Sequence, residues 1–99
     1  MFSTRRFMEA GAAGEMLDFK DKVVLMTGAA QGFGRVLAHA FAERGAKIAL
    51  CDINDEGGEK TLAKVTAHGA DGFYQHADVS QESDVKGFVA ATVRSLRTA

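Results

Sequence analysis

The sequence predicts an α/β fold in which three parallel strands lie in the order 3-2-1 with flanking helices. Strand-like apolar runs and helix-like amphipathic segments alternate three times along the 99 residues. The first run, Val23 to Met26, is apolar at both sets of alternating positions, which is typical of a strand covered on both faces of a parallel sheet. Because crossovers between parallel strands are right-handed, the first two helices should cover one face and the last helix the other.

Each predicted element has its own start and stop signals. Strands are predicted at 23–26, 46–51 and 72–75, and helices at 35–44, from 54 or 55 to Gly69, and from Ser80 onwards. The apolar stripes that these helices should bury are Val36, Leu37, Ala40 and Phe41 in the first and Val85, Phe88, Val89, Val93 and Leu96 in the last. Residues 1–15 lack such periodicity and are predicted to be a flexible N-terminal extension, with residues 16–99 forming one truncated domain.

The composition excludes several classes of function. The net charge of −1 provides no basic surface for a nucleic acid or an anionic membrane. No stretch approaches the ~20 apolar residues of a membrane span, and no apolar signal core follows Arg5-Arg6, so a cytoplasmic location is predicted. The single cysteine, Cys51, is interpreted as a small buried hydrophobe. His76 and Asp78 are two potential metal ligands without a third, and no metal site is predicted.

A glycine-rich segment follows the first strand and opens the first helix. Gly28 can turn the chain with a positive φ, and Gly32 and Gly34, which lack a Cβ, should let backbone and ligand approach closely. The first turn of the next helix presents unpaired N–H groups and the positive end of the helix dipole, which together suit a pyrophosphate. The segment is therefore predicted to bind the phosphates of a dinucleotide.

An acidic residue ends the second strand. Asp52 lies 18 residues beyond Gly34 (52 − 34), near the ~20 residues expected for the carboxylate that binds the adenosine ribose. A carboxylate accepts hydrogen bonds from both ribose hydroxyls and repels a 2′-phosphate. Because Gln31 and Ile53, where a cation would meet that phosphate, are uncharged, NAD is predicted over NADP, although Arg35 could swing over the site.

The segment from Thr27 to Gly34 has the sequence Thr-Gly-Ala-Ala-Gln-Gly-Phe-Gly. It resembles the Thr-Gly-x-x-x-Gly-x-Gly motif of short-chain dehydrogenases/reductases, with Phe33 where that family more often has Ile or Leu. The resemblance runs from about Leu17 to the C-terminus and implies a partial Rossmann fold that binds NAD, with Asp78 and Val79 meeting the adenine. The cofactor-binding residues that it implies are Gly28, Ala30, Gln31, Gly32, Phe33, Gly34, Asp52, Ile53, Asp78 and Val79.

The resemblance implies an oxidoreductase that transfers hydride between NAD(H) and an alcohol or carbonyl compound. It does not reach the catalytic half of the family, whose Tyr-x-x-x-Lys pair has no counterpart, since Tyr74 is followed four positions on by Asp78. No catalytic residue is assigned, and a small-molecule substrate is expected only for a full-length form. The alternative is a small non-catalytic nucleotide-binding module. In a truncated chain the first strand would be a sheet edge and should favour self-association or leave the chain only marginally stable, whereas an independent module would be expected to cover that edge.

Overall fold

Three strands and three helices alternate along the described part of the chain. The computed structural model describes residues 19–67 and 69–96. Their order is β1 (Val23–Thr27), α1 (Gly32–Glu43), β2 (Lys47–Asp52), α2 (Asp55–Thr66), β3 (Gly72–His76) and α3 (Glu82–Leu96). The predicted alternation is confirmed, although α2 ends before the predicted stop at Gly69. The predicted N-terminal extension, residues 1–15, lies outside the described residues.

β2 is the central strand of a three-stranded parallel sheet. Leu25 of β1 lies opposite Ala49 of β2, which lies opposite Phe73 of β3. The order β1-β2-β3 is the predicted 3-2-1 order seen from the other edge, so the predicted partial Rossmann topology is confirmed. Because the strands are parallel, their carboxyl ends lie together at one end of the sheet, where ligands bind in folds of this type.

Hydrophobic clusters lie on both faces of the sheet, and β2 contributes to each. Ile48 and Leu50 pack with side chains of α1 and α2 in one cluster. Ala49 and Cys51 pack with Phe88 of α3 in the other. All four β2 side chains are fully buried. As predicted, α1 and α2 therefore cover one face of the sheet, and α3 covers the opposite face.

The predicted buried stripe of α1 is partly wrong. Val36 is exposed, whereas Ala38 and Ala42, which the prediction omitted, are buried. Small side chains one turn apart let the helix backbone approach the sheet closely. The bulky Phe41 packs at the margin of the core and is only partly buried.

The buried face of α3 also differs from the prediction. The buried side chains of α3 are Phe88, Ala91, Thr92 and Leu96. The predicted Val85, Val89 and Val93 are exposed and share another face of the helix, since they are spaced four residues apart. The helix begins at Glu82, and the Ser80 hydroxyl donates to Asp78 Oδ1 instead of forming the predicted cap.

The described helices are short or polar relative to a membrane span. None of those in residues 19–67 and 69–96 has the length and apolar character that a membrane crossing requires. The cytoplasmic location stays a prediction.

Candidate functional site

The glycine-rich segment forms a tight turn at the carboxyl end of β1. Gly28 and Gly32 have φ angles of 63° and 60°, in the left-handed region that favours glycine. A Cβ on Gly34 would lie 2.3 Å from the Gly28 carbonyl oxygen. The close approach predicted for Gly34 is therefore made to the chain's own backbone, and it lets α1 start directly against the turn.

The N-terminus of α1 lacks the capping groups that α2 has. Gln31, at the N-cap of α1, makes no side-chain cap bond, and the first turn of α1 contains no acid. In α2, Asn54 Oδ1 accepts a hydrogen bond from Gly57 N–H at 3.0 Å, and Asp55 and Glu56 lie in the first turn. Because uncapped N–H groups and the helix dipole favour an anion, the start of α1 has the chemistry of an anion-binding end.

Asp52 ends β2 directly beside the glycine-rich segment. Its Oδ2 accepts from Ala30 N–H and its Oδ1 accepts from Asn54 N–H, each at 3.0 Å. Partial burial raises the pKa of Asp52, but backbone N–H donors, first that of Asn54, and the nearby His76 outweigh burial and hold this pKa below its ordinary value. The carboxylate is therefore ionised at neutral pH, and it retains lone pairs for further donors.

A cavity of about 150 Å³ opens where the three strands end. It is lined by residues from the ends of β1 and β2 and from the turn after β3, namely Gly28, Asp52, Ile53, Ala77, Asp78 and Val79. Ile53 and Val79 are 64% and 55% exposed. Open apolar side chains beside an ionised carboxylate suit a ligand that carries a flat ring and hydroxyl groups.

The residues predicted to bind the cofactor are brought to one end of the sheet, but they do not all line this cavity. Those that line it are Gly28, Asp52, Ile53, Asp78 and Val79. Gln31, Gly32 and Phe33 are exposed on the neighbouring turn. Ala30 is buried and reaches the site through its N–H bond to Asp52. Cofactor contacts for these residues stay a prediction.

Asp78 is held by the turn that follows β3. Its Oδ1 accepts from the N–H and the hydroxyl of Ser80 at 2.9 and 2.7 Å, and Asp78 N–H donates to Asp84 Oδ2 at 2.9 Å. The bonds from Ser80 lower the pKa of Asp78. This carboxylate therefore fixes the turn that presents Val79 to the cavity.

A second polar cluster lies at the ends of β2 and β3. Tyr74 Oη lies 2.7 Å from both the Asp52 carbonyl oxygen and Asp55 Oδ1, and His76 Nδ1 lies 2.8 Å from the same Asp55 oxygen. Burial and the Asp55 carboxylate raise the pKa of Tyr74, so this phenol is a poor proton donor near neutrality. Its ring packs tightly on α2, where a Cβ on Gly58 would lie 2.1 Å from it.

Sequence reasoning missed Thr61 and left the position of Arg35 open. Thr61 is fully buried, and its Oγ1 lies 2.6 Å from the Ala29 carbonyl oxygen and 2.9 Å from Arg35 Nε. Arg35 also donates to the Ala30 carbonyl oxygen. The sequence signal that could have indicated Thr61 is the position of its hydroxyl, one turn before Val65 and therefore on the inward side of the predicted helix.

A larger cavity, of about 290 Å³, lies between α1 and α2. It is lined by Arg35, Val36, His39 and Lys64. No residue from a strand end contributes to it, whereas ligands of parallel α/β sheets bind at the carboxyl ends of the strands. The smaller cavity is therefore the better candidate for the functional site.

The chain matches the family model of short chain dehydrogenases over residues 22–98. It belongs to the short-chain dehydrogenase/reductase family. It is 44% identical over 70 residues to the CLA biosynthesis dehydrogenase/reductase of Lactiplantibacillus plantarum, a match that covers 71% of this chain and 24% of that protein.

Solved structures of this family show the same fold. A short-chain dehydrogenase/reductase from Burkholderia phymatum in complex with NAD is 32% identical, with a TM-score of 0.77, over 82% of this chain and 29% of that chain. An NAD⁺-bound xylitol dehydrogenase is 37% identical, with a TM-score of 0.75, over 81% of this chain and 31% of that chain. The chain thus spans 24% to 31% of the length of these relatives.

Proposed function

We propose that this chain binds NAD and supplies the cofactor-binding part of an oxidoreductase that transfers hydride between NAD(H) and an alcohol or carbonyl compound. The observation that carries the proposal is the placement of Asp52, an ionised carboxylate at the strand-end cavity and beside the uncapped start of α1. A dinucleotide matches both features, since it has a pyrophosphate for the helix N-terminus and ribose hydroxyls for the carboxylate. The NAD-bound relatives support this assignment.

The cavity suggests a role for each neighbouring group. The exposed turn at Gln31 to Phe33 would face the pyrophosphate, and Asp52 would accept hydrogen bonds from the adenosine ribose. Val79 would pack on the adenine ring, and the second oxygen of Asp78 would accept from the adenine amino group, because Oδ1 already binds Ser80. When bound, NAD supplies the hydride acceptor; the residues described here bind and orient it.

The surroundings of Asp52 favour NAD over NADP. Gln31 and Ile53 carry no charge, and the guanidinium of Arg35 is held by Thr61 and by backbone carbonyl groups. Among residues 19–67 and 69–96, no free cation therefore lies at this position to compensate the repulsion between Asp52 and a 2′-phosphate. We infer that NADP binds more weakly for this reason.

Titrations with NAD and NADP on matched variants test the proposal. In Asp52→Asn the affinity for NAD should fall by about 10- to 100-fold, because hydrogen bonds to a charged group are lost. The preference for NAD over NADP should shrink in the same variant, because the repulsion of the 2′-phosphate is removed. Calorimetry gives both dissociation constants, and melting curves confirm that the variant folds.

Asp71→Asn is the matched control. Asp71 is exposed and precedes β3, at the end of the sheet opposite the cavity, so its neutralisation should leave both affinities unchanged. Equal NAD affinity in wild type and Asp52→Asn would contradict the proposal. The alternative of a small non-catalytic nucleotide-binding module has no observation of its own in its favour.

We also infer that the chain on its own self-associates through β1. Within residues 19–67 and 69–96, β1 pairs with β2 on one side only, which leaves its other edge with unpaired N–H and C=O groups. Leu25 on this strand is 45% exposed. An apolar edge strand of this kind is a template for pairing with a second chain.

A further inference from the structure

The backbone of Ala29-Ala30, in the middle of the glycine-rich turn, is held from two sides. Ala30 N–H donates to Asp52 Oδ2 at 3.0 Å, on the side of the cavity. The Ala29 carbonyl oxygen accepts from Thr61 Oγ1 at 2.6 Å, and the Ala30 carbonyl oxygen accepts from the guanidinium of Arg35. Both alanines are buried. The bond from Thr61 is buried as well and is therefore shielded from competing water, whereas the bonds to Asp52 and from Arg35 are partly buried.

Thr61 connects two elements, which sets it apart from Thr92, the other threonine that is buried among residues 19–67 and 69–96. Thr92 Oγ1 donates to the Phe88 carbonyl oxygen at 2.8 Å, an ordinary bond within its own helix. Thr61 has the same option at the Gly57 carbonyl oxygen, 3.1 Å away, but the shorter contact crosses from α2 to Ala29. A hydroxyl has a single proton, so the geometry favours the bond to the turn.

Arg35 also links the glycine-rich turn to α2. Its Nε donates to Thr61 Oγ1 at 2.9 Å, and one terminal nitrogen donates to the carbonyl oxygens of Ala30 and Gly57, the latter at 3.2 Å. Its acceptors in the described part of the chain are all neutral, so none of them offsets the positive charge that the guanidinium places close to the start of α1. A cation near a helix N-terminus is unfavourable, because that end of the helix dipole is also positive. An anion bound there would compensate both the guanidinium and the helix dipole.

We propose that Arg35 and Thr61 are positioning residues for the pyrophosphate of the dinucleotide. By holding the carbonyl oxygens of Ala29 and Ala30 toward α2, they keep these partial negative charges turned away from the phosphate groups. The turn is shaped before the ligand arrives, so binding does not have to order it. The identity of the ligand rests on the proposed function, but the restraint of the turn does not.

Thr61→Val and its matched control Thr92→Val test this role. Each removes one hydroxyl from a buried threonine and keeps the branched shape, but only Thr61→Val releases the turn. Amide hydrogen exchange across Gly28 to Gly34, without ligand, should accelerate about tenfold in Thr61→Val and stay unchanged in Thr92→Val. Affinity for ADP should fall about tenfold in Thr61→Val, whereas affinity for adenosine, which lacks the pyrophosphate, should not change.

Arg35→Lys distinguishes the positioning role of Arg35 from the effect of its charge. It also tests the proposal if Thr61→Val does not fold. Lysine retains the positive charge but cannot serve the acceptors that the planar guanidinium reaches together. We expect faster exchange and weaker ADP binding in this variant as well. ADP affinity equal to wild type in Arg35→Lys or in Thr61→Val would overturn the positioning role, as would equal effects of the two threonine variants. A wild-type chain that binds neither ADP nor NAD would instead overturn the proposed function.

Discussion

Glycines at helical positions differ in what a side chain would meet there, as Gly34 and Gly87 illustrate. A Cβ on Gly34 would lie 2.3 Å from the Gly28 carbonyl oxygen, so Gly34→Ala should lower the free energy of unfolding by about 2 kcal/mol or more. At Gly87 the nearest atom, Gln75 Nε2, is 4.0 Å away. Gly87→Ala should therefore stabilise α3 by about 0.5–1 kcal/mol through helix propensity.

Urea unfolding of the two variants beside wild type measures both values. The opposite signs make each variant the control for the other, since both add one methyl group to a helix. A Gly34→Ala variant as stable as wild type would mean that α1 does not start against the turn as described.

The contact between His76 and Asp55 predicts a dependence of stability on pH. The hydrogen bond and charge of Asp55 raise the pKa of His76 above its ordinary value of 6.5, with Asp84 and Asp78 acting in the same direction. Bonds from Tyr74 and His76 lower the pKa of Asp55 below its ordinary value of 3.8. The stabilisation from the histidine is thus fully present below pH 6.5 and is lost as pH rises through its raised pKa. The stabilisation from the carboxylate is lost as pH falls through its lowered pKa.

Melting temperatures of wild type and His76→Gln test this dependence. The advantage of wild type should be largest at about pH 5, where both groups are charged, and should shrink by about pH 9. An advantage that stays constant or grows toward alkaline pH would contradict the assignment.

At the scale of single elements, β1 and β3 each leave an open edge in the sheet of the described residues, and β1 is the strand whose edge is proposed to pair with a second chain. Leu25→Lys places a charge on that edge, which natural edge strands use to prevent pairing. Sedimentation should show a concentration-dependent mass for wild type and a smaller mass for Leu25→Lys. Val36→Lys is the control, because Val36 is also exposed but lies on α1. A wild-type chain that stays monomeric at all concentrations would rule out self-association through β1.

The elements also show how far the sequence determines the structure. Their order and topology could be predicted, because apolar alternation, glycine breaks and right-handed crossovers act locally. The buried face of α3 could not, since this helix has two apolar faces, one through Val89 and one through Phe88, and only the packed sheet selects between them. The position of Asp52 in the candidate site could be predicted from its distance in sequence to the glycine-rich segment. The contacts of Thr61 could not, because they join residues far apart in the sequence, which no local pattern indicates.

At the scale of the whole molecule, we expect the chain on its own to transfer no hydride. Carbonyl reduction needs a proton donor whose pKa is tuned toward neutrality. The pKa of Tyr74 is instead raised by burial and by Asp55, and its hydroxyl is engaged with Asp52 and Asp55. Purified chain should oxidise no NADH above buffer with a panel of ketones and aldehydes, and Tyr74→Phe should give the same result. Turnover that disappears in Tyr74→Phe would refute this expectation.

The cavity at the strand ends also makes the stability of the folded chain depend on the concentration of its ligand. Gly28, Asp52 and Asp78 lie at the carboxyl ends of three successive strands and become neighbours only when the sheet has formed. The unfolded chain has no equivalent site, so by mass action a ligand at ~100 times its dissociation constant adds about 2.7 kcal/mol to the native state. Domains are typically stable by only about 5–15 kcal/mol. The amount of intact chain that survives proteolysis would therefore rise and fall with the supply of free dinucleotide.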